Sequence, residues 1–114
     1  MGKMARNKGR RGETTCKALL GEYDYTVLAD TSAGVSQCDL IAQDMMGTVY
    51  AVECKNTASI NVRAYRDQAK QQAGKMRWML LCKIDGTSSW LVLKQGSKAT
   101  VWHERVKDGD ISAE

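Results

Sequence analysis

Two β-like runs, residues 37–43 and 48–55, are separated by only Met45, Met46 and Gly47 after Asp44, and this spacing constrains the chain more than any other feature. A connection that short, ending in a glycine able to take the left-handed conformation, closes a β-hairpin. Closure fixes the register. Asp44 pairs with Thr48, Gln43 with Val49 and, carried outward, Asp39 with Glu53. Directly opposed side chains lie about 4.5–5.5 Å apart on one face of a sheet. Strand alternation puts Lys55 on the same face as Glu53. The hairpin thus sets two carboxylates and an ammonium together within an otherwise apolar stretch, YAVECKN over residues 50–56. A bulge would shift that register by one.

The surrounding segments suit a single α/β domain. At 114 residues the chain supports one core. Residues 13–23 carry Cys16, Leu19, Leu20 and Tyr23 at helical spacing, with Glu13 at the edge of that stripe. Residues 25–29 read as a strand and residues 30–36 as a loop. Asn61 is placed to cap a helix over residues 62–75, with Val62, Tyr65, Ala69, Ala73 and Met76 as its buried stripe and Gly74 marking its end. The continuous apolar run 78–82 then implies a βαβ crossover and a strand covered on both faces. Residues 89–93 pair back after a turn at Asp85 and Gly86. Residues 99–106 suit either a last strand or a short helix. These assignments predict an α/β fold with a mixed central sheet flanked by helices. A flexible basic arm (1–12) precedes the domain (13–106), and a loose tail (107–114) follows it.

Charge distribution says more than the net charge of +4. Lys3, Arg6, Lys8, Arg10 and Arg11 crowd the first twelve residues, among glycines and without an acid. Such an arm can neutralise phosphates, or simply solubilise. Arg63, Arg66 and Lys70 gather on one flank of the second helix, as a phosphate track or a solvated face. No apolar run approaches the ~20 residues of a membrane span. The first residues lack the apolar core of a signal peptide. An intracellular, cytoplasmic protein is therefore expected, with no membrane partner. Cys16, Cys38, Cys54 and Cys82 lack zinc-type spacing and read as small buried hydrophobes. His103, the single histidine, has no companion ligands and reads as structural. Trp78, Trp90 and Trp102 read as core or dimer interface. Gln68 and Gln72 read as ordinary helix residues.

Two carboxylates facing each other repel, so a purely structural sheet avoids the pairing. A divalent cation reverses the sign. Mg²⁺ favours one or two carboxylates together with waters and substrate phosphate oxygens. Asp39 and Glu53 fit that role, the Cys54 carbonyl can add an oxygen, and Lys55 can position an attacking water.

Asp39 followed by Glu53-Cys54-Lys55 across a short hairpin resembles the core of the PD-(D/E)XK nuclease superfamily, with Cys38 where the superfamily's name has proline. The basic, glycine-containing start leading to Glu13 is similar to the Holliday junction resolvases of archaea and phages. The resemblance runs over residues 8 to 82 in element order. It implies a restriction-endonuclease-like core and a catalytic set of Glu13, Asp39, Glu53 and Lys55. Ser32, or alternatively Ser36, would contribute from the loop before Asp39. It also implies Mg²⁺ (with Mn²⁺ able to substitute) held by Glu13, Asp39, Glu53 and Cys54, and a symmetric homodimer. The activity implied is paired nicking of four-way DNA junctions, leaving 5′-phosphate and 3′-hydroxyl ends. Branched DNA is then the partner and no small-molecule substrate is expected. Rival readings are a nuclease of the same kind acting on flaps, nicks or duplex, and a non-catalytic DNA-binding protein of the same fold.

Overall fold

A computed structural model describes residues 14–30, 39–56 and 61–105. The basic arm with Lys3, Arg6, Lys8, Arg10 and Arg11, the helix-start Glu13, the loop residues Ser32 and Ser36, Cys38 and the C-terminal tail lie outside the described residues. Helix α1 covers residues 14–22. Strands β1 (Thr26–Asp30), β2 (Leu40–Gln43) and β3 (Val49–Lys55) follow, then helix α2 (Val62–Ala73), then β4 (Arg77–Lys83), β5 (Ser89–Lys94) and β6 (Thr100–His103). The six strands form one sheet in chain order. Only β3 and β4 pair parallel, which requires the α2 crossover between them. The other neighbours are antiparallel. The expected α/β fold with a mixed sheet is what forms.

The helices cover opposite faces. Cys16, Leu19 and Leu20 of α1 pack with Leu40, Ala42, Tyr50, Val52, Met79, Leu81, Trp90 and Val92 into one core. On the other face, Ala69 and Ala73 of α2 settle on Ala51, Leu80 and Cys82. Met79, Leu80, Leu81 and Cys82 are all buried, as expected for a strand covered on both sides.

Local signals explain most boundaries. Asn61 caps α2, its side-chain oxygen accepting from the Ala64 N–H at 3.1 Å. Gly74, at φ +62°, ends the helix after Ala73. Met76 therefore does not join the buried stripe. It lies in the turn into β4 and is 38% exposed. Gly47 takes φ +91° in the β2–β3 turn. Of the last segment, Thr100–His103 form a strand, because β6 pairs with β5 and places Trp102 flat on Tyr23, centroids 4.4 Å apart. Among the described residues no helix is long and apolar enough to cross a membrane.

Trp90 is fully buried and its indole N–H donates to Glu104 Oε1 at 2.8 Å, an oxygen that also receives Lys83 Nζ at 2.8 Å. Trp90→Ala removes both the packing and the anchor that holds the chain after β6. It should cost about 3–5 kcal/mol in a denaturant titration.

Candidate active site

Over Leu40–Gln43 the register expected from the hairpin is the one observed, but it is not carried to Asp39, whose N–H is directed at β3 where an Asp39–Glu53 pair would turn it away. Gln43 opposes Val49, Ala42 Tyr50, Ile41 Ala51 and Leu40 Val52, with no irregularity between them. Between β1 and β2 the register shifts at Val27–Ala29. Asp39 stands just before β2. Its N–H donates to the Val52 carbonyl at 3.1 Å. Its Oδ2 accepts from the Cys54 N–H at 2.9 Å. Asp44 N–H bonds to the Thr48 carbonyl, so in the alternating antiparallel pattern the even-numbered residues of β3 direct their amides at β2. Cys54 is the next of these, and the Asp39 carboxylate takes its N–H where a backbone carbonyl would otherwise do so. Asp39 is thereby fixed at the end of β3 that carries Glu53 and Lys55.

Glu53 is 6% exposed, the one buried charged residue among those described. It shares the α2 side of the sheet with Ala51, and Lys55 follows on the same side by alternation. Lys55 Nζ lies 3.8 Å from Glu53 Oε1 and 5.2 Å from the centre of the Tyr65 ring on α2. Burying such a pair rarely stabilises a fold more than apolar residues of the same volume would. Tyr65, read from the sequence only as part of a buried stripe, also forms one wall around the Lys55 ammonium. Nothing in the sequence ties it to Lys55, since the contact depends on how α2 crosses β3.

Cys54 points to the opposite face, into the α1 core, where it packs beside Cys16. That contact ties the first described turn of α1 to the Glu53–Lys55 end of β3. Cys54 can thus offer the site only backbone atoms, as the sequence reading required. Burial, ahead of the Cys16 contact and the charges of Asp39 and Glu53, pushes the Cys54 thiol well above the usual range. Burial also raises Cys82, against an opposing pull from Lys55. Both are poor nucleophiles.

Of the expected set, the structure brings Asp39, Glu53 and Lys55 to one strand end. Glu13 and Ser32 lie outside the described residues. Among the described residues no group of three or more His, Cys, Asp or Glu is placed to hold a metal ion. Arg63 and Lys70 are exposed on α2, Lys70 lying over the Trp78 ring at 5.9 Å. The Arg66 side chain is 40% exposed, its Nε 3.8 Å from Asp67 Oδ1. His103 Nδ1 contacts Ser89 Oγ at 2.8 Å on the edge strand, three strands away from Glu53. Trp90 is core and Trp102 is stacked on Tyr23, so neither is a platform for bases. Compared with protein-family models, curated proteins and solved structures, the chain matches none.

Two outcomes follow from this geometry. Asp39→Asn keeps an oxygen for the Cys54 N–H and should fold like the parent, whereas Asp39→Ala leaves that N–H without its partner and should lose about 1–3 kcal/mol in thermal or denaturant melts. With thiolate formation disfavoured, Cys54 and Cys82 should resist iodoacetamide at pH 8 in the native protein and react once it is denatured, as read by mass spectrometry.

Proposed function

We propose that the protein is a Mg²⁺-dependent, structure-selective endodeoxyribonuclease that resolves four-way DNA junctions. The observation that carries this reading is the buried Glu53 carboxylate beside the Lys55 ammonium, at the strand end where the Asp39 carboxylate is fixed on the Cys54 amide. The element order supports it: a helix, an antiparallel hairpin bearing the acids, a crossover helix and a parallel strand follow one another over the residues to which the superfamily resemblance extends.

The donor chemistry fits a hard cation. The groups at this end are carboxylate oxygens and a backbone carbonyl, while the soft thiol of Cys54 faces the α1 core. Asp39 and Glu53 would hold Mg²⁺ or Mn²⁺, with Glu13 and the Cys54 carbonyl completing the set that the resemblance implies. The ion supplies Lewis-acid polarisation of the phosphate and a more acidic bound water. Lys55, held beside Glu53 and the Tyr65 ring, presents its ammonium to the attacking water and to charge gathering on the phosphate. Arg63, Arg66 and Lys70, with the basic arm, contact duplex arms through phosphates, which reads shape more than sequence. A two-fold homodimer would match a two-fold junction, one site for each opposing strand.

The test uses labelled four-way junction, flap and linear duplex, with Mg²⁺ or with chelator. Paired nicks in the junction are expected only with the metal. Lys55→Ala and Asp39→Asn should bind the junction as tightly as the parent and cut it at least about 100-fold more slowly. Undiminished cutting by either variant rejects the site. Preferential cutting of flaps or nicks moves the substrate to the alternative. Binding without cutting by the parent protein makes it a DNA-binding module.

A further inference from the structure

The opposite end of the sheet has a different character. The β2–β3 turn holds Met45 and Met46 out in solvent, 78% and 89% exposed. They are not on a loose loop. Asp44 Oδ1 accepts from both the Met46 N–H at 2.9 Å and the Thr48 N–H at 2.8 Å, and Gln43 Nε2 donates to the Gly47 carbonyl at 3.2 Å. Two large apolar side chains are thus presented by a braced turn, an arrangement that serves no packing among the described residues.

Cations line the same end. Lys75 lies in the turn after α2, Arg77 begins β4, and Lys98 follows the β5–β6 turn; all three are exposed. Arg77 reaches across that turn, its guanidinium 3.8 Å from where a side chain on Gly96 would begin. With strands about 4.8 Å apart, β4 lies about 7 Å from the middle of the β2–β3 turn and the β5–β6 turn about 14 Å from it. Among the described residues the acids at this end are Asp24 and Asp44. Asp44 is engaged in the turn and feels the charge of Lys94, which itself donates to Tyr25 Oη at 2.8 Å. Cations outnumber acids and run as a row away from the methionines.

We propose that this end of the sheet is a second nucleic-acid contact surface, with Lys75, Arg77 and Lys98 on backbone phosphates and Met45 and Met46 packed against bases. Charge complementarity selects a polyanion, and methionine is among the apolar side chains that proteins wedge against base steps. Two methionines offer too little apolar area to hold a membrane surface, where binding scales with the area inserted. Glu53 lies about 20 Å along the strand from the turn, so the surface would engage a different segment of nucleic acid from the one at the carboxylates. The inference does not rest on the nuclease reading.

Methionine oxidation tests it without any mutation. The wild-type chain is treated with dilute hydrogen peroxide in chelator, alone and with saturating duplex or four-way DNA, and sulfoxide at each methionine is followed by mass spectrometry. Buried Met79 is the internal reference. DNA should slow oxidation of Met45 and Met46 by about threefold or more while Met79 stays unchanged. The triple variant K75Q/R77Q/K98Q should lower the slope of log affinity against log salt by about 2–3 on duplex DNA. Equal oxidation with and without DNA, or an unchanged slope, overturns the proposal. So does protection produced by anionic lipid vesicles or by raised protein concentration but not by DNA, which would assign the surface to a membrane or to a second copy. Protection that persists in a chain unable to cut any DNA rejects the nuclease reading alone, and cutting without protection rejects this one alone.

Discussion

Strand β3 is covered by α1 on one face and by α2 on the other, so any charge placed on it must be answered from within the protein. Glu53 is that charge. Its carboxylate is buried, and the ammonium that balances part of its charge comes from two residues along the same strand. Much of the surrounding arrangement can be understood from this constraint. Tyr65 gives the Lys55 ammonium an aromatic face, and Asp39 brings a second carboxylate against the backbone that carries Glu53. A structural strand would have no use for such a concentration of charge, because apolar residues of the same volume would hold the sheet as well or better.

Alternation along β3 separates scaffold from chemistry. Tyr50, Val52 and Cys54 face α1 and close the larger core, while Glu53 and Lys55 face α2. The same strand therefore closes the larger core with one set of side chains and carries the Glu53–Lys55 pair with the other. The Cys16–Cys54 contact links α1 to this strand end from the scaffold side. The Cys54 thiol, held neutral by burial, suits that role, since it packs without adding charge beside the carboxylates.

The two ends of the sheet differ in chemical character. One carries the carboxylates and Lys55. The other carries the braced methionine turn and a row of cations. The length of β3 keeps the two apart.

The sequence by itself determined the hairpin and its register. A three-residue connection ending in Gly47 leaves one pairing that puts Leu40, Ala42, Tyr50 and Val52 on a single buried face, and a slip of one residue would turn all four to the other side. It also determined the start of α2 through Asn61 and its end through Gly74, because caps are local chemistry. What only the tertiary structure decided is the environment of these groups. The burial of Glu53, the placing of Tyr65 on Lys55, the bond from Asp39 to the Cys54 amide rather than a continued ladder, and the choice of strand for residues 100–103 all depend on segments distant in the chain. Periodicity reports which side of an element a residue occupies. It does not report what a crossover helix or a neighbouring strand brings to meet it, because that contact is set by the packing of whole elements.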